Sequence, residues 1–285
     1  MYLSELLGER LGELASERLE VFEHRMLEEL RKLTPTSFYD PLVYAVRGGK
    51  RIRPLILLFA SEILGPPPLD PYPAAIAVEL LHCESLIHDD IIDKETSRRG
   101  LEPFYLKFGP VLSMLSADFV LGLSLNFLSR YKRSLLMRAI ANELSRSVME
   151  MCEGELLENE LLNGGKAGWR YYLKVVRLKT APLFRASAKL GGLIATKGRR
   201  SEVVKALTKY GLLVGIAYQL RDDVLDAEKG EDLALRLSSL DNVERIQRLS
   251  RSLVEKAKME LRRFSSSPAR EVLERIAEIM VEREI

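Results

Sequence analysis

The sequence has little cysteine, threonine or glutamine, and each scarcity excludes a class of protein. Its 285 residues include two cysteines, Cys83 and Cys152, which lie far apart in helical patterns without metal-ligand spacing. A disulfide framework and a zinc site are therefore excluded, and both cysteines are predicted to be small core residues in a reducing compartment. The six threonines and two glutamines disfavour an all-β fold.

An excess of charge of one sign is also absent. Lysine and arginine number 43 and aspartate and glutamate 41, giving a net charge of +2. Because nucleic-acid-binding modules usually carry a marked basic excess, we expect no nucleic-acid partner, although local basic clusters could bind phosphates. No run approaches the roughly 18 apolar residues of a membrane span, and charges alternate from Glu5 to Arg31 where a signal peptide would lie. We predict a cytoplasmic protein with no membrane span.

Apolar residues recur at helical spacing through almost the whole chain. Five prolines in residues 65–73 predict a loop, and Gly109-Pro110 predicts a further break. With no convincing strand pattern and no linker, the chain is predicted to be one all-α domain (1–285) of about ten or more helices, apolar central ones surrounded by amphipathic ones. The predicted helices are 6–33, 41–48, 54–64, 73–95, 111–131, 135–162, 169–196 with a kink at Pro182, 202–226, and two charged helices after Asp241 and after Pro268.

Two aspartate triplets of the form Asp-Asp-x-x-Asp lie within apolar helical segments. The first and last aspartates of each are four residues apart on one helix face, with Cβ atoms about 5–6 Å apart. Carboxylates on a buried helix repel one another unless cations neutralise them, and their oxygens suit Mg²⁺ or Mn²⁺. The alternative is a solvated face or a surface ion-pair array, which two copies with apolar flanks disfavour; the EF-hand spacing of a Ca²⁺ site is absent. The candidate metal ligands are Asp89, Asp90, Asp93, Asp222, Asp223 and Asp226.

Clusters of basic residues match these acids. The segment Gly48–Pro54 places two glycines and three cations at a helix junction, which suits a diphosphate, although many surface turns share this composition. Arg98-Arg99 follows the first triplet by five residues, where the two cations either stabilise the helix dipole or bind phosphates.

Two further polar residues lie in apolar helical segments. Lys179 either extends its amine to the surface or points into a polar central cavity. His82 precedes Asp89 by two helical turns on the same face, and is either a core histidine or a ligand.

These motifs, in this order, resemble those of the trans-isoprenyl diphosphate synthase family, also called polyprenyl synthetases. The resemblance runs from about Tyr39 to Asp226, and five ordered motifs are far more specific than any one. It implies an all-α isoprenoid synthase fold around a central cavity and a homodimer. It also implies three Mg²⁺ ions, which Mn²⁺ could replace, between the two aspartate-rich helices.

The resemblance assigns roles position by position. It implies that Asp89, Asp93 and Asp222 bind metal, supported directly or through water by Asp90, Asp223 and Asp226. Lys179, Arg98, Asp89 and Asp222 are the expected catalytic residues. The diphosphate of isopentenyl diphosphate is expected at Lys50, Arg53, His82 and Arg99, and the allylic diphosphate at Arg98, Lys179, Thr180 and Gln219.

The implied activity is chain elongation, with geranylgeranyl diphosphate as the expected main product. The diphosphate group leaves the allylic substrate, and the isopentenyl double bond attacks the resulting allylic cation. Loss of a proton then gives a product one isoprene unit longer. Two alternatives remain. A class I terpene cyclase is disfavoured by the second triplet and by the isopentenyl-site cations. A non-catalytic subunit of a heteromeric synthase is disfavoured because both triplets are intact.

The chain departs from the family pattern at three places. The family usually continues past the second triplet with a Gly-Lys, a Gly-x-Asp and a Gly-Lys-x-Thr-Leu-Pro. Here residues 227–240 are short, and only Lys229, Gly230 and Asp232 could take those places. Ala117 replaces a glycine before Asp118. Glu84, five residues before Asp89, occupies a position at which family members carry residues that set product length.

Overall fold

The structure, a computed structural model, describes residues 6–164, 168–199, 201–228 and 240–282. Eleven helices account for most of these residues, which form no strand, and the all-α prediction is confirmed. In chain order the helices are α1 (Glu9–Leu33), α2 (Thr36–Ala45), α3 (Ile52–Ser61), α4 (Tyr72–Ile92), α5 (Phe104–Ser129), α6 (Ser134–Leu162), α7 (Trp169–Lys179), α8 (Ala181–Ala195), α9 (Glu202–Glu228), α10 (Leu240–Leu261) and α11 (Pro268–Glu282).

Two prolines act differently from their predicted roles. Pro41 was expected to begin a helix, but α2 begins at Thr36 after Pro35, and Pro41 lies inside it. Pro182 was expected to kink one long helix, but the chain forms two helices separated at Thr180, with Pro182 in the first turn of α8. The missing N–H of a proline is tolerated in a first turn, so a new helix starts there.

Two helices, α3 and α8, form the centre of the fold. Nearly every residue of α3 and α8 is buried, as expected of a helix that is apolar on all sides. The helix α8 packs against α3 on one side and α9 on another, and α4 packs against α3 and α5. Amphipathic helices α1, α10 and α11 cover this centre with one apolar stripe each. Both helices that carry the aspartate triplets, α4 and α9, therefore contact the buried helix α8.

Helix α5 combines great length with an apolar surface. It bends at Gly109, whose φ of 81° interrupts the helical geometry where the sequence predicted a break. By length and composition alone, α5 is the one helix in the described ranges that could cross a membrane, and 44% of its most apolar window is buried against the rest of the protein. A core helix of a soluble protein passes the same test, so the predicted absence of a membrane span stays a prediction.

Candidate active site

The first aspartate triplet lies at the end of α4, and its side chains have different surroundings. Asp89 lines a central cavity. Asp93 follows the last residue of the helix, where its backbone N–H donates to Asp89 O at 2.8 Å. Asp90 is buried, and its Oδ1 accepts a hydrogen bond from Arg98 Nε at 2.6 Å. The first residue of the triplet is therefore the one that lines the cavity.

The second triplet repeats this arrangement on α9. Asp222 lines the same cavity as Asp89. Asp223 accepts hydrogen bonds from the hydroxyl of Tyr172 and from Gln219 Nε2, the latter at 2.7 Å. Asp226 is half-buried and is not among the cavity-lining residues. The two triplets thus meet at a common space through their first members, while Asp223 is held by the protein itself.

This cavity has a volume of about 610 Å³ and mixed polar and apolar walls. Its walls contain most of the residues predicted to bind diphosphates. They also contain apolar side chains from three helices, which is the composition that a substrate with a charged head and a hydrocarbon tail requires. The polar lining residues from the prediction are Arg53, His82, Asp89, Arg98, Arg99, Lys179, Thr180, Gln219 and Asp222; the apolar ones include Ile92, Val148, Met151, Leu156 and Leu183.

Five predicted site residues do not line the cavity. Lys50 is exposed in the loop between α2 and α3 (residues 46–51, called here the basic loop), and its role at the isopentenyl site stays a prediction. The other four are triplet members: Asp93, predicted as a metal ligand, and Asp90, Asp223 and Asp226, predicted to support the ions. These roles stay predictions as well.

Arg53 is placed to bind an anion. It lies in the first turn of α3, and its guanidinium stacks over the ring of Phe184, 4.6 Å from Cζ to the ring centroid. Its buried Nε finds no hydrogen-bond partner among the described residues. Burial lowers its pKa. A donor that is buried without a partner at the edge of a cavity is expected to meet one on a bound ligand.

The two arginines after the first triplet occupy a tight turn. Arg98 and Leu101 exchange backbone hydrogen bonds of 2.9 Å, and Arg99 has a φ of 56°. The side chain of Arg99 donates from Nη1 to the carbonyl of Arg47 at 3.1 Å, which ties this turn to the basic loop. Burial and four nearby arginines, Arg53 first, hold the pKa of His82 well below its usual value, so this histidine is neutral at pH 7.

Lys179 is held between two glutamates of α6 that the sequence analysis missed. Its Nζ lies 2.9 Å from Glu155 Oε2 and forms a second, shorter contact with Glu158. The close approach of the helices depends on Gly154, because a Cβ there would lie 2.4 Å from the backbone nitrogen of Lys179. The available sequence signal was the Gly-Glu-x-x-Glu spacing, which puts both acids on one helix face.

A chain of hydrogen bonds links the start of α8 to the second triplet. Thr180 donates from Oγ1 to Gln219 Oε1, and Gln219 donates from Nε2 to Asp223. Each amide atom of Gln219 is thereby oriented. The site contains, in consequence, a fixed polar wall beside Asp222 and Lys179.

Three carboxyl groups of the site have pKa values near neutrality. Burial raises the pKa of Asp89 to about 7, with Glu155 and Asp93 adding to the rise and Lys179 opposing it. Burial likewise raises the pKa of Asp223 to about 7, against the hydrogen bonds from Tyr172 and Gln219. Glu84, which lines the cavity, has a pKa raised to about 7 by burial and by Asp118.

The donor set fits a hard divalent cation. Within the described residues, no three acidic, histidine or cysteine side chains are grouped as a complete metal site. Asp89 and Asp222 nevertheless line one cavity, and burial raises the pKa of Asp89 against the effect of Lys179, so a bound cation would stabilise its ionised form. Oxygen donors of this kind bind Mg²⁺ with water and substrate phosphates completing the shell.

The comparisons with known proteins agree with this geometry. A family model described as polyprenyl synthetase matches residues 35–235. The geranylgeranyl diphosphate synthase of Methanosarcina mazei is 36% identical over 221 residues, which cover 76% of this chain and 68% of the relative. The geranylfarnesyl diphosphate synthase of the same organism is 37% identical over 210 residues, covering 72% and 68%. The chain belongs to the polyprenyl synthetase family.

Solved structures extend the likeness over the whole fold. The crystal structure of a geranylgeranyl pyrophosphate synthetase from Pyrococcus horikoshii has a TM-score of 0.85 at 25% identity, covering 98% of this chain and 99% of that one. The corresponding synthetase from Geoglobus acetivorans has a TM-score of 0.84 at 27% identity, covering 97% and 100%. Like its family, this polyprenyl synthetase is a trans-prenyltransferase of the chain-elongating type.

One departure from the family pattern and one prediction about the cysteines bear on this synthetase. Lys229, Gly230 and Asp232, the residues that could replace the usual motifs after Asp226, lie outside the described residues. Cys152 was expected in the core, but it is exposed and lines the cavity, whereas Cys83 is buried as predicted. A cysteine of α6 therefore faces the space in which substrate would lie.

Proposed function

We propose that this polyprenyl synthetase condenses isopentenyl diphosphate with an allylic diphosphate in the central cavity, with geranylgeranyl diphosphate as the main product. The observation that carries the proposal is the convergence on one cavity of Asp89, Asp222 and Lys179 with apolar side chains. Such walls suit a substrate whose head carries several negative charges and whose tail is hydrocarbon. The polar walls stabilise the leaving group, and the apolar walls keep water from the carbocation.

The residues divide the work between the two substrates. We assign the allylic diphosphate to Lys179, Thr180, Gln219 and Arg98. We assign the isopentenyl diphosphate to Arg53, His82, Arg99 and Lys50. Because His82 is neutral, it contributes a hydrogen bond rather than a charge, so the arginines supply the positive potential there. The proton lost from the condensation product passes to the released diphosphate.

Mg²⁺ is the proposed cofactor, with Mn²⁺ able to replace it. Asp89 and Asp222 would hold the ions from the two triplets, with Asp93 as a further ligand and Asp90, Asp223 and Asp226 in support. Three ions per site are expected from the family pattern. Bound there, the metal supplies positive charge that stabilises the departing diphosphate. Asp223 and Asp90 are already hydrogen-bonded, to Tyr172 and Arg98, and so orient their helices.

Product length is proposed from the cavity and the relatives together. One M. mazei relative is named a geranylgeranyl synthase and the other a geranylfarnesyl synthase, at nearly equal identity to this chain. The cavity of about 610 Å³ is lined by one tyrosine, Tyr218, and by no phenylalanine or tryptophan, and the two lining residues four and five positions before Asp89 are Ser85 and Glu84. The absence of an aromatic ring at these two positions supports a product longer than the farnesyl compound.

A homodimer is proposed from a surface of exposed apolar residues on α5 and α6. These side chains lie on two neighbouring helices and form no part of the cores. A second copy of the chain would bury them, and an uncovered apolar surface of this kind is uncommon on a monomer. The members, called here the α5–α6 face, are Val111, Met114, Leu115, Leu121, Leu125, Leu135 and Met149, with exposures from 38% to 69%.

The remaining predictions about the chain stay proposals. We propose one domain over 1–285, supported by contacts of α11 with α1 and α3. A cytoplasmic location and the absence of a nucleic-acid partner rest on composition.

The test is a condensation assay with defined primers. Purified protein with Mg²⁺, isopentenyl diphosphate and each of the dimethylallyl, geranyl and farnesyl primers should give geranylgeranyl diphosphate, resolved by chromatography. Loss of product with excess chelator, and its return with Mg²⁺, would support the metal assignment. A cyclic hydrocarbon would identify a terpene cyclase instead, and no product from any primer would favour a non-catalytic subunit.

A further inference from the structure

Arg51 is a cation of the basic loop to which the site prediction assigns no role. It precedes α3 with φ of 54° and ψ of 31°, the left-handed region, and its side chain is 3% exposed. A side chain other than glycine in that region is strained, so the surrounding contacts must hold it there. The cations on either side of it, Lys50 and Arg53, are the ones proposed to bind isopentenyl diphosphate.

The guanidinium of Arg51 connects three parts of the protein. Its Nη1 donates to Glu79 Oε1 on α4 at 2.6 Å, and its Nε donates to Glu23 Oε1 on α1 at 2.5 Å. Its Nη2 donates to the carbonyl of Val46, at the start of the loop. The rigid fork of an arginine makes several such bonds at fixed angles, which a lysine does not. The loop is thereby fastened to both helices.

Gly49 shows how closely the loop lies on this ion pair. A Cβ at Gly49 would be 2.6 Å from Arg51 Nη1 and 3.1 Å from Glu79 Oε1. The backbone of the loop is thus pressed against the buried Arg51–Glu79 pair, and only glycine leaves room for it. The pair forms the surface on which the loop rests.

Glu79 connects the Arg51–Glu79 pair, through α4, to other residues proposed to bind isopentenyl diphosphate. His82 follows it by three residues on α4, one turn along the helix, and lines the cavity together with Arg53. Movement of the loop against α4 would therefore change the separation of Arg53 from His82. We propose that Arg51 and Glu79 are positioning residues that set this separation and so determine the affinity for isopentenyl diphosphate; the inference rests on the function proposed above.

A contribution to the stability of the fold does not by itself explain the buried Arg51–Glu79 ion pair. Taking two charges out of water is costly, and replacing both members of a buried ion pair by apolar residues is often neutral or stabilising. Glu79 is 2% exposed and loses its water almost completely. The directional bonds of the pair, rather than its stability, are what an apolar replacement cannot reproduce.

The experiment compares single and paired substitutions. Glu79→Gln keeps the shape and one acceptor, Arg51→Lys keeps the charge, and Arg51→Met removes both charge and donors. The double variant Arg51→Met/Glu79→Met removes both charges and so leaves no unpaired carboxylate at Glu79. The matched control is Arg25→Met, because Arg25 also joins α1 to the start of α4, through a two-bond pair with Asp70, away from the loop.

Each variant is measured for kcat, for the KM of each substrate and for its thermal midpoint. We expect Glu79→Gln and the double variant to raise the KM for isopentenyl diphosphate about tenfold, while kcat and the allylic KM stay within about twofold. The double variant should recover the thermal midpoint lost in Arg51→Met without recovering that KM. Arg51→Lys should be intermediate and Arg25→Met unchanged.

Two results would overturn the inference. One is a double variant in which both the KM for isopentenyl diphosphate and the thermal midpoint return to the wild-type values. The pair would then contribute only to the stability of the fold. The other is an equal rise of both KM values. Wild-type protein is assayed in parallel with the variants. If the proposed function is wrong, the wild type gives no product. If only the positioning role is wrong, the wild type is active and the variants lack the expected change in KM.

Discussion

Lys179 Nζ lies 2.9 Å from Glu155 Oε2 and also contacts Glu158, so the cation proposed to meet the leaving group is already paired with two carboxylates. These acids outweigh the effect of burial and raise the pKa of Lys179, which keeps the amine charged. Binding of the allylic diphosphate would place a third anion at the same amine. Stronger contacts with the two glutamates would therefore weaken the electrostatic attraction between the Lys179 amine and the diphosphate.

Lys179→Ala is expected to lower kcat by about a hundredfold or more, since it removes charge that acts mainly when the diphosphate departs. The KM for isopentenyl diphosphate should change little, because that substrate is assigned to other residues. Steady-state kinetics with geranyl and isopentenyl diphosphates measures both. The matched control is Lys174→Ala, which removes an exposed pair with Glu153 between the same two helices, at 2.8 Å. Similar losses in the two variants would contradict the assignment.

Asp89→Ala and Asp222→Ala are expected to lower turnover by several orders of magnitude while the fold is retained. Removing a carboxylate from an acidic site relieves repulsion, so the thermal midpoint should be equal or higher. Asp223→Ala should instead lower the midpoint, because it leaves Tyr172 and Gln219 without their acceptor. Near-normal turnover in either of the first two variants would show that the metal assignment is wrong.

Stability of the metal-free protein is expected to fall as the pH rises from about 6.5 to 8, above the range in which the lowered pKa of His82 favours the opposite trend. The pKa values of Asp89, Asp223 and Glu84 are raised to about 7 in the folded protein. The folded state therefore holds protons that the unfolded state has already lost, and this stabilisation disappears as the pH passes through about 7. Thermal scans with chelator at each pH measure the trend.

Glu84→Gln is the companion variant for that measurement. Of the three titrating groups, Glu84 is the one that lies outside both triplets. Without it, the thermal midpoint should fall less steeply with pH. Adding Mg²⁺ with a diphosphate should raise the midpoint most above pH 7, where the carboxylates are ionised. A midpoint that rises steadily with pH in the metal-free wild type would contradict the assignment of these protons.

Product length is expected to depend on Glu84 and on α6. Glu84→Phe places a ring at the cavity wall and should shorten the product. The sequence also suggests Leu81→Ala as a lengthening change, but Leu81 is 1% exposed and packs in the core away from the cavity lining. Met151→Ala enlarges the lining itself and is the better test. An unchanged distribution of products in both Glu84→Phe and Met151→Ala would mean that the tail lies elsewhere.

The α5–α6 face is expected to hold two copies together. Leu125 is 59% exposed on this face, so Leu125→Asp should convert a dimer to monomers, because a charge would be buried at the contact. Sedimentation equilibrium measures the mass of each species. Met259→Asp is the control, as Met259 is 60% exposed on α10, outside the face. A wild-type monomer at micromolar concentration would contradict the proposal.

The sequence predicted the residues with strong local patterns. The two triplets, Arg53 and Lys179 were found because their spacing within apolar helices is visible in one dimension, and the structure places members of each group at one cavity. At Pro182 the sequence predicted a kink in one helix and the chain forms two helices, because one residue pattern fits both. These features depend on local chemistry, which is why the sequence carries them.

Other features depended on contacts between distant segments. Glu155 and Glu158 look like ordinary surface acids until Gly154 brings α6 against Lys179. Nothing near Arg51 in the sequence indicates that its partner is Glu79, 28 residues away. Pro41 was misplaced because Pro35 is an equally good start signal, and the choice between them is made by the packing of α2.

One helix, α4, carries Glu79, His82, Glu84 and Asp89 within eleven residues. A substitution that tilts α4 would alter affinity for both substrates, the placement of metal and the room for the tail at once. Product length is therefore most readily changed by substitutions that alter one wall side chain and leave the helix axis in place. The cavity surface of α6, where Val148, Met151 and Cys152 lie, can change in volume without moving a residue proposed to bind a diphosphate. In an evolving or engineered synthetase, the backbone of α4 would stay fixed while side chains at Glu84 and on α6 adjust the room for the tail.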